Sequence, residues 1–484
     1  MKALGILGTS SGAGKSWIAT AFCAWLKSQG VRVAPFKAQN MSNNAWATLD
    51  GGEIARAQAV QAEACGLLPT ADMNPILLKP SGTQGSQLIL QGRAQGHQLA
   101  GTYYENYDKL WQMVKDSLED WRAKCDVLVL EGAGSPVELN LMERDLVNLN
   151  PLRYLDARSV LVGDIDRGGI YAQLAGTWQL LPAEDRARML GAIVNRFRGD
   201  IRLFPDPNRW LAPYAPGLRV LGTVPFRTDL QPEEEDGLRS EDEDRGQGEV
   251  VAWIRLPHLA NVTDCQPWWD DEGVRIRWVK TINELATAKA IIIPGTKNTI
   301  ADLRWLKTTG LDRAIITAAR AGIPVIGLCG GYQILGESLT DVSGVAGGSG
   351  EEEGLRLLPI KTTFEQQKIV RQVTASCGDR RWQAYEMHMG RSRPTREHLP
   401  LLLVEDVAGT RTEGSKTGNV WGTYLHGWFE APEVRRLVTV AAGITGHKPC
   451  AVPWAEQRQK TYAAMAAHLA AHVDLEPVRR YLGL

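Results

Sequence analysis

The 484-residue sequence predicts an α/β protein of two doubly wound domains, and three observations carry that expectation. Apolar runs of strand length alternate with amphipathic helical stretches, the pattern of a mainly parallel sheet covered on both faces. The alternation breaks once, in an acidic stretch nearly devoid of apolar residues, and then restarts. On both sides of the break, residues able to do chemistry fall at the C-terminal ends of strands, the edge at which open parallel sheets bind ligands. Length agrees, because a chain of this size exceeds what one hydrophobic core usually organises.

Taken in order, residues 3–7 form the first strand, and a glycine-rich loop leads into a helix. That helix aligns Trp17, Ile18, Ala21, Phe22, Trp25 and Leu26 on one stripe and stops at Gly30, as a C-terminal cap glycine would stop it. Strands at 31–36, 127–130, 160–163, 192–194 and 220–225 complete a first domain spanning 1–230. The run at 231–249, with Glu233, Glu234, Glu235 and Asp236, reads as an acidic linker. Strands at 250–256, 275–279, 290–294 and 324–328, with helices near 299–306 and 311–321, define a second domain over 250–450. The alanine-rich tail, 451–484, is expected to be a helix packing back on the second domain.

A net charge of −1 gives no long-range attraction to nucleic acid or an anionic membrane, and neither is expected as a partner. The composition, 44% apolar and 23% charged, is ordinary for a globular chain. Seven cysteines without CxxC pairing argue for a reducing compartment, hence a cytoplasmic protein, and against a zinc site. A homo-oligomer is left open. The 16 tryptophans read mostly as core and interface fillers.

The loop Gly8-Thr9-Ser10-Ser11-Gly12-Ala13-Gly14-Lys15-Ser16 follows a strand and opens a helix, the context in which successive N–H groups cradle phosphate. Gly12 and Gly14 allow the tight turn, Lys15 reaches the β- and γ-phosphates of a nucleotide, and Ser16 offers a hydroxyl to Mg²⁺. The carboxylates expected to join Ser16 at the metal are Glu131, ending a strand, and Asp50, before Gly51-Gly52. Asp164 and Asp166, in Gly163-Asp164-Ile165-Asp166-Arg167-Gly168-Gly169, also end a strand. They are candidates for metal, phosphate or the reacting carboxylate, the alternative being an Asp–Arg brace. Asn195, ending another strand, is placed to read an adenine edge.

A second site is expected at Cys329. In Val325-Ile326-Gly327-Leu328-Cys329-Gly330-Gly331-Tyr332-Gln333 an apolar strand must turn sharply into a helix, and glycines on both flanks permit the turn. A thiol there stands clear of its backbone near free helical N–H groups, as a nucleophile requires. His426, in Gly422-Thr423-Tyr424-Leu425-His426-Gly427, is the expected base, with His388 as rival. The N–H groups of Gly330 and Gly295 are the candidate oxyanion donors.

These motifs carry a resemblance. The Gly-Leu-Cys-Gly-Gly-Tyr-Gln elbow with Tyr-Leu-His-Gly resembles the class I glutamine amidotransferase domain, and Gly8 to Ser16 resembles the dethiobiotin-synthetase-like branch of P-loop proteins. Together with Lys37-Ala38-Gln39-Asn40-Met41-Ser42-Asn43-Asn44, Glu131-Gly132-Ala133-Gly134-Ser135-Pro136, Asn195-Arg196-Phe197-Arg198-Gly199-Asp200 and Pro294-Gly295-Thr296-Lys297-Asn298-Thr299, the whole is similar to the cobyric acid synthases. The resemblance implies an N-terminal P-loop domain and a C-terminal amidotransferase domain. It implies glutamine, ATP, Mg²⁺ and a corrinoid as reactants, with Cys329 and His426 releasing ammonia for ATP-driven amidation of corrinoid carboxylates. Cobyrinic acid a,c-diamide synthase, or a P-loop ATPase with a non-catalytic amidotransferase-like domain, are the alternatives. One departure stands out: amidotransferases usually orient the histidine with a glutamate two residues later, and Trp428 occupies that place. A Cys–His dyad oriented by some other acceptor is therefore expected.

Overall fold

The computed structural model describes residues 1–81, 85–99, 104–232, 244–378 and 380–484. Its first sheet runs, in spatial order, Val220–Pro225, Met189–Phe197, Arg158–Asp164, Lys2–Gly8, Val127–Glu131 and Val33–Phe36, with every pairing parallel. Lys2–Gly8 is central, so the loop after it emerges mid-edge, between the ends of Val127–Glu131 and Arg158–Asp164. Apolar clusters fill both faces, Ala34, Phe36, Leu128 and Leu161 on one and Ile6, Phe22, Val129 and Val162 on the other. This is the doubly wound arrangement that the continuous apolar strands imply.

The second sheet orders Arg245–Gly246, Gly273–Val279, Gly248–Ile254, Ala288–Ile293, Val325–Leu328, Val420–Thr423 and Ser415–Thr417, a parallel centre with an antiparallel strand at each edge. Its first members correct the linker boundary. The stretch from Arg245 onward is strand, while 233–243 lies outside the described residues. Gly246 and Gly248 make this edge by adopting φ of 82° and 127°. A Cβ at either would lie 2.4 or 2.2 Å from the carbonyl oxygen of Val274 or Gly273.

Two elements escaped the strand pattern. A four-stranded sheet of Gln39–Met41, Ile76–Ser81, Gly85–Leu90 and Arg93–Leu99 is inserted in the first domain. In the second, a long hairpin, Ile360–Cys377 with Arg380–Pro394, builds a further mixed sheet. The two domains meet along these additions. Gln372 Nε2 donates to the Ala47 carbonyl at 2.8 Å, the Tyr385 hydroxyl donates to the Ala45 carbonyl at 3.3 Å, and Lys368 pairs with the buried Glu53 at 2.8 Å.

The tail helix, Trp454–His472, buries its apolar side chains in the first domain, contrary to the sequence expectation of packing on the second. Tyr462, Met465, Ala466 and Leu469 join the cluster of Ile18, Phe22 and Val60. The first helix, Lys15–Ser28, is thereby buried on nearly every side and not on one stripe alone. An alanine-rich helix suits this position because its small side chains allow close approach to a neighbouring helix. Arg458, bridging Glu63 at 2.9 Å and Glu430 at 3.2 Å, ties the tail to both domains. Leu469→Ala should cost ~2–5 kcal/mol through the cavity it leaves. Denaturant titration of the intact chain checks this, and an unchanged midpoint would show that the tail is not part of the core.

Candidate active site

Cys329 follows the strand Val325–Leu328 and caps the helix Gly330–Ile334 with φ 49° and ψ −106°, a conformation that an L-residue holds only when its surroundings enforce it. Three neighbouring glycines enforce it. A Cβ on Gly327 would lie 2.6 Å from Gly331 backbone, one on Gly330 2.6 Å from Thr296 Cγ2, and one on Gly331 1.9 Å from the Ile293 carbonyl oxygen. The thiol thus turns outward into a cleft shared with His426, Gly295 and Lys297. Its Sγ lies 3.6 Å from the Met387 carbonyl oxygen.

His426 is buried and lines the same cleft as Cys329. Its Nδ1 lies 2.7 Å from Asp264 Oδ2, and the second oxygen of that carboxylate accepts the Gly427 N–H at 2.9 Å. Asp264 is therefore the other acceptor that the absence of a glutamate at position 428 calls for, and it orients the His426 ring. Burial alone would depress the imidazole, but the Asp264 carboxylate and Cys329 outweigh it and raise His426 to about 10. Trp428 is core packing beside Phe429, and Glu430 is engaged by Arg458. Asp264 lies in the 3₁₀ segment Val262–Trp268, 162 residues before its partner, so no local spacing could reveal it.

The rival base is excluded. His388 Nδ1 sits 2.7 Å from the Gly390 carbonyl, which accepts only a proton donor, and burial lowers its ring to about 4. It stacks on Tyr424 with centroids 3.6 Å apart and remains neutral. Gly295 lies against the pair: a Cβ there would be 3.0 Å from His426 Cε1 and 3.7 Å from Cys329 Cβ. Gly330 begins its helix, where first-turn N–H groups have no intrahelical acceptor.

The phosphate loop forms the second cleft, of ≈ 230 Å³, lined by Gly12, Gly14, Lys15, Ser16, Lys37 and Glu131 among others. Lys15 folds over the loop, its ammonium donating to the Ser10 and Gly134 carbonyls at 2.9 and 3.0 Å. Ser16 Oγ donates to Glu131 Oε1 at 2.7 Å, and Lys37 pairs with the same oxygen at 2.9 Å. Burial alone would raise Glu131, but Lys37, Ser16 and Gln61 hold its pKa below the usual carboxylate value. A serine hydroxyl and an ionised carboxylate are hard oxygen donors, so this pair fits Mg²⁺.

Other expected residues lie elsewhere. Asp50 is exposed and bonded to Thr48, with Arg93 at 4.0 Å, and does not line the nucleotide cleft. Asn195 Nδ2 donates to the Ala13 carbonyl of the loop at 3.1 Å, and a Cβ on Gly14 would meet it at 2.1 Å. Asp164 is buried with Arg196 at 3.3 Å and Arg167 at 3.5 Å, and Asp166 pairs with Arg198 at 3.0 Å. Both are Asp–Arg braces. Arg196, which Asp164 holds, lines the nucleotide cleft in their stead. Accordingly, Asp50→Ala should leave ATP-dependent turnover within about two-fold. Glu131→Gln should lower it ~10–100-fold, and equal effects of the two in a coupled ADP-release assay would contradict this placement.

Comparisons with known proteins identify both domains. Residues 4–239 match the model of the CobQ/CobB/MinD/ParA nucleotide-binding domain, and residues 250–434 match that of the CobB/CobQ-like glutamine amidotransferase domain. The chain is 45% identical to a cobyric acid synthase of Roseiflexus castenholzii over 89% of this chain and 90% of that one. It is 46% identical to that of Chloroflexus aggregans over 89% of each. With the Synechocystis enzyme the identity is 40% over 100% of this chain and 99% of the other. Both domain matches, and relatives aligned over nearly the whole chain, place this protein in the cobyric acid synthase family, as an ATP-using glutamine amidotransferase ligase.

Proposed function

We propose that this chain amidates the b, d, e and g side-chain carboxylates of adenosylcobyrinic acid a,c-diamide, with ATP as activator and glutamine as nitrogen donor. One observation carries the coupling of the two chemistries: the segment Asn40 to Asn43 lines both clefts, Asn40 and Met41 at the nucleotide loop and Asn43 beside Cys329. Three residues of extended chain span about 10 Å, so ammonia has a short way to travel.

In the thiol site, Cys329 Sγ attacks the glutamine carboxamide carbon, and the oxyanion is held by the N–H groups of Gly330 and Gly295. The C–N bond breaks as His426 gives its proton to the departing nitrogen, leaving a thioester and ammonia. Water, deprotonated by His426, cleaves the thioester to glutamate and restores the thiol. In the nucleotide site, a corrinoid carboxylate oxygen attacks the γ-phosphorus of ATP, giving an acyl phosphate and ADP. Ammonia then displaces phosphate at the acyl carbon. Lys15 and the loop N–H groups hold the phosphates in line, and Lys37 and Arg196 add positive charge around them. Ser16 and Glu131 would hold Mg²⁺, which would supply neutralisation of the phosphate charge.

The cleft at Cys329, ≈ 70 Å³, suits the side chain of an amino acid and not a corrin ring, which assigns the two substrates to different clefts. Mass analysis of the product formed from adenosylcobyrinic acid a,c-diamide with ATP and glutamine tests the reading. Four added amides support it. Two, from cobyrinic acid, would point instead to the a,c-diamide synthase.

A further inference from the structure

Three lysines, Lys79, Lys297 and Lys368, line the small cleft that holds Cys329, and its lining contains no carboxylate. One acid stands behind them: the buried Glu53 pairs with Lys79 at 2.5 Å and with Lys368 at 2.8 Å. Lys297 has only a neutral acceptor among the described residues, Gln87 Oε1 at 2.6 Å. Three lysines against one carboxylate give the cleft more cationic groups than anionic ones. Burial of uncompensated charge is costly enough that such groups take a counter-ion when one is offered. Burial and then the neighbouring Lys368 and Lys79 lower Lys297 to about 7, so it gains most from an arriving anion, and burial leads the lowering of Lys79 to about 8 despite its pairing with Glu53.

The cluster lies within reach of the thiol. Lys79 Nζ is 3.5 Å from Met387 Sδ, and the carbonyl of Met387 is the one beside Cys329 Sγ. The same cleft holds a second unmet polar atom. His388 Nδ1 bears the proton given to Gly390, so Nε2 is an acceptor, and it is buried without a partner. Clustered ammonium donors and a bare imidazole acceptor complement the two charged groups of an α-amino acid, a carboxylate and an ammonium.

We infer that Lys79, Lys297 and Lys368 form the subsite for the α-carboxylate of glutamine, while His388 Nε2 accepts from its α-ammonium. The inference rests on Cys329 being the glutamine nucleophile. Lys79 belongs to the sheet inserted in the first domain and the other two lysines to the second. Glutamine is therefore bound by both domains, and the amidotransferase domain alone has an incomplete site.

The test compares glutamine with 4-aminobutyramide, the same molecule without its α-carboxylate, as hydrolysis substrates of the intact chain. The readout is the ratio of kcat/KM for the two, which is internal to one protein sample and insensitive to its active fraction. Lys297→Met should lower kcat/KM for glutamine ~10–100-fold, mainly through KM, and leave that for 4-aminobutyramide nearly unchanged, so that the ratio collapses. Lys297→Arg, which keeps the charge, should retain most of the ratio. An unchanged ratio in Lys297→Met overturns the inference, whatever the total activity. A wild-type chain that releases no ammonia from glutamine would overturn the nucleophile assignment itself.

Discussion

Cys329→Ser is expected to lower glutamine-dependent amidation by at least ~10⁴-fold, since loss of a nucleophile removes the covalent route entirely. Amidation supplied with free ammonia should stay within about two-fold, because the nucleotide cleft shares no reacting group with the thiol site. The two rates, measured on one preparation with ATP and the corrinoid, separate the half-reactions. The substitution is nearly isosteric, and the strained backbone at position 329 is set by Gly327, Gly330 and Gly331, so the variant should fold normally. If ammonia-dependent turnover fell in parallel, the thiol would be acting in the synthetase chemistry. If glutamine remained a donor, another nucleophile would have to be sought.

The same elbow shows why so much of this protein is legible in its sequence. Residues 325–333 and 8–16 share one local pattern, an apolar strand, then glycines in the turn, then a helix, and at the elbow a Cβ on Gly327 or Gly331 would strike backbone. At the elbow the steric requirement lies within a few residues or in the adjacent strand, whereas Gly14 answers to Asn195, two strands away. Parallel strands buried on both faces read as continuous apolar runs, which is why the strands of both central sheets stand out. Features that depend on chain crossing the molecule do not. Asp264 and His426 meet only because strand order in the second sheet brings their loops together, and the lysine cleft needs residues from both domains. Asp50, beside Gly51-Gly52, has the local look of a metal carboxylate, yet the chain carries it to the surface with Thr48 and Arg93. The tail was misplaced for the same reason. Its alanine-rich surface permits close packing on either domain, and Tyr462, Met465 and Leu469 commit to the first only through partners on Lys15–Ser28 and Arg56–Cys65.

Asp264→Asn carries the second large expectation, a loss of glutaminase kcat/KM of ~10²–10⁴-fold with ammonia-dependent amidation preserved. The amide keeps the shape but removes the charge that outweighs burial at His426. It also presents either a donor or a weaker acceptor to Nδ1, so the ring is no longer fixed as the tautomer that turns Nε2 toward Cys329. A pH profile distinguishes this from a merely structural defect, and its sign follows from the two influences on the ring. In the native site the imidazolium persists up to about pH 10, so the form able to protonate departing ammonia is present throughout the neutral range and is lost only as pH rises through that value. With Asp264 neutralised, burial, which favours the uncharged ring, is left the leading influence. The alkaline limb of the residual activity should therefore move to lower pH. A variant that lost activity with an unmoved limb would show that Asp264 supports the fold of Val262–Trp268 and does not set the charge on His426. A moved limb makes the carboxylate the group that compensates for Trp428, supplying from 162 residues upstream what other amidotransferases carry two residues after the histidine.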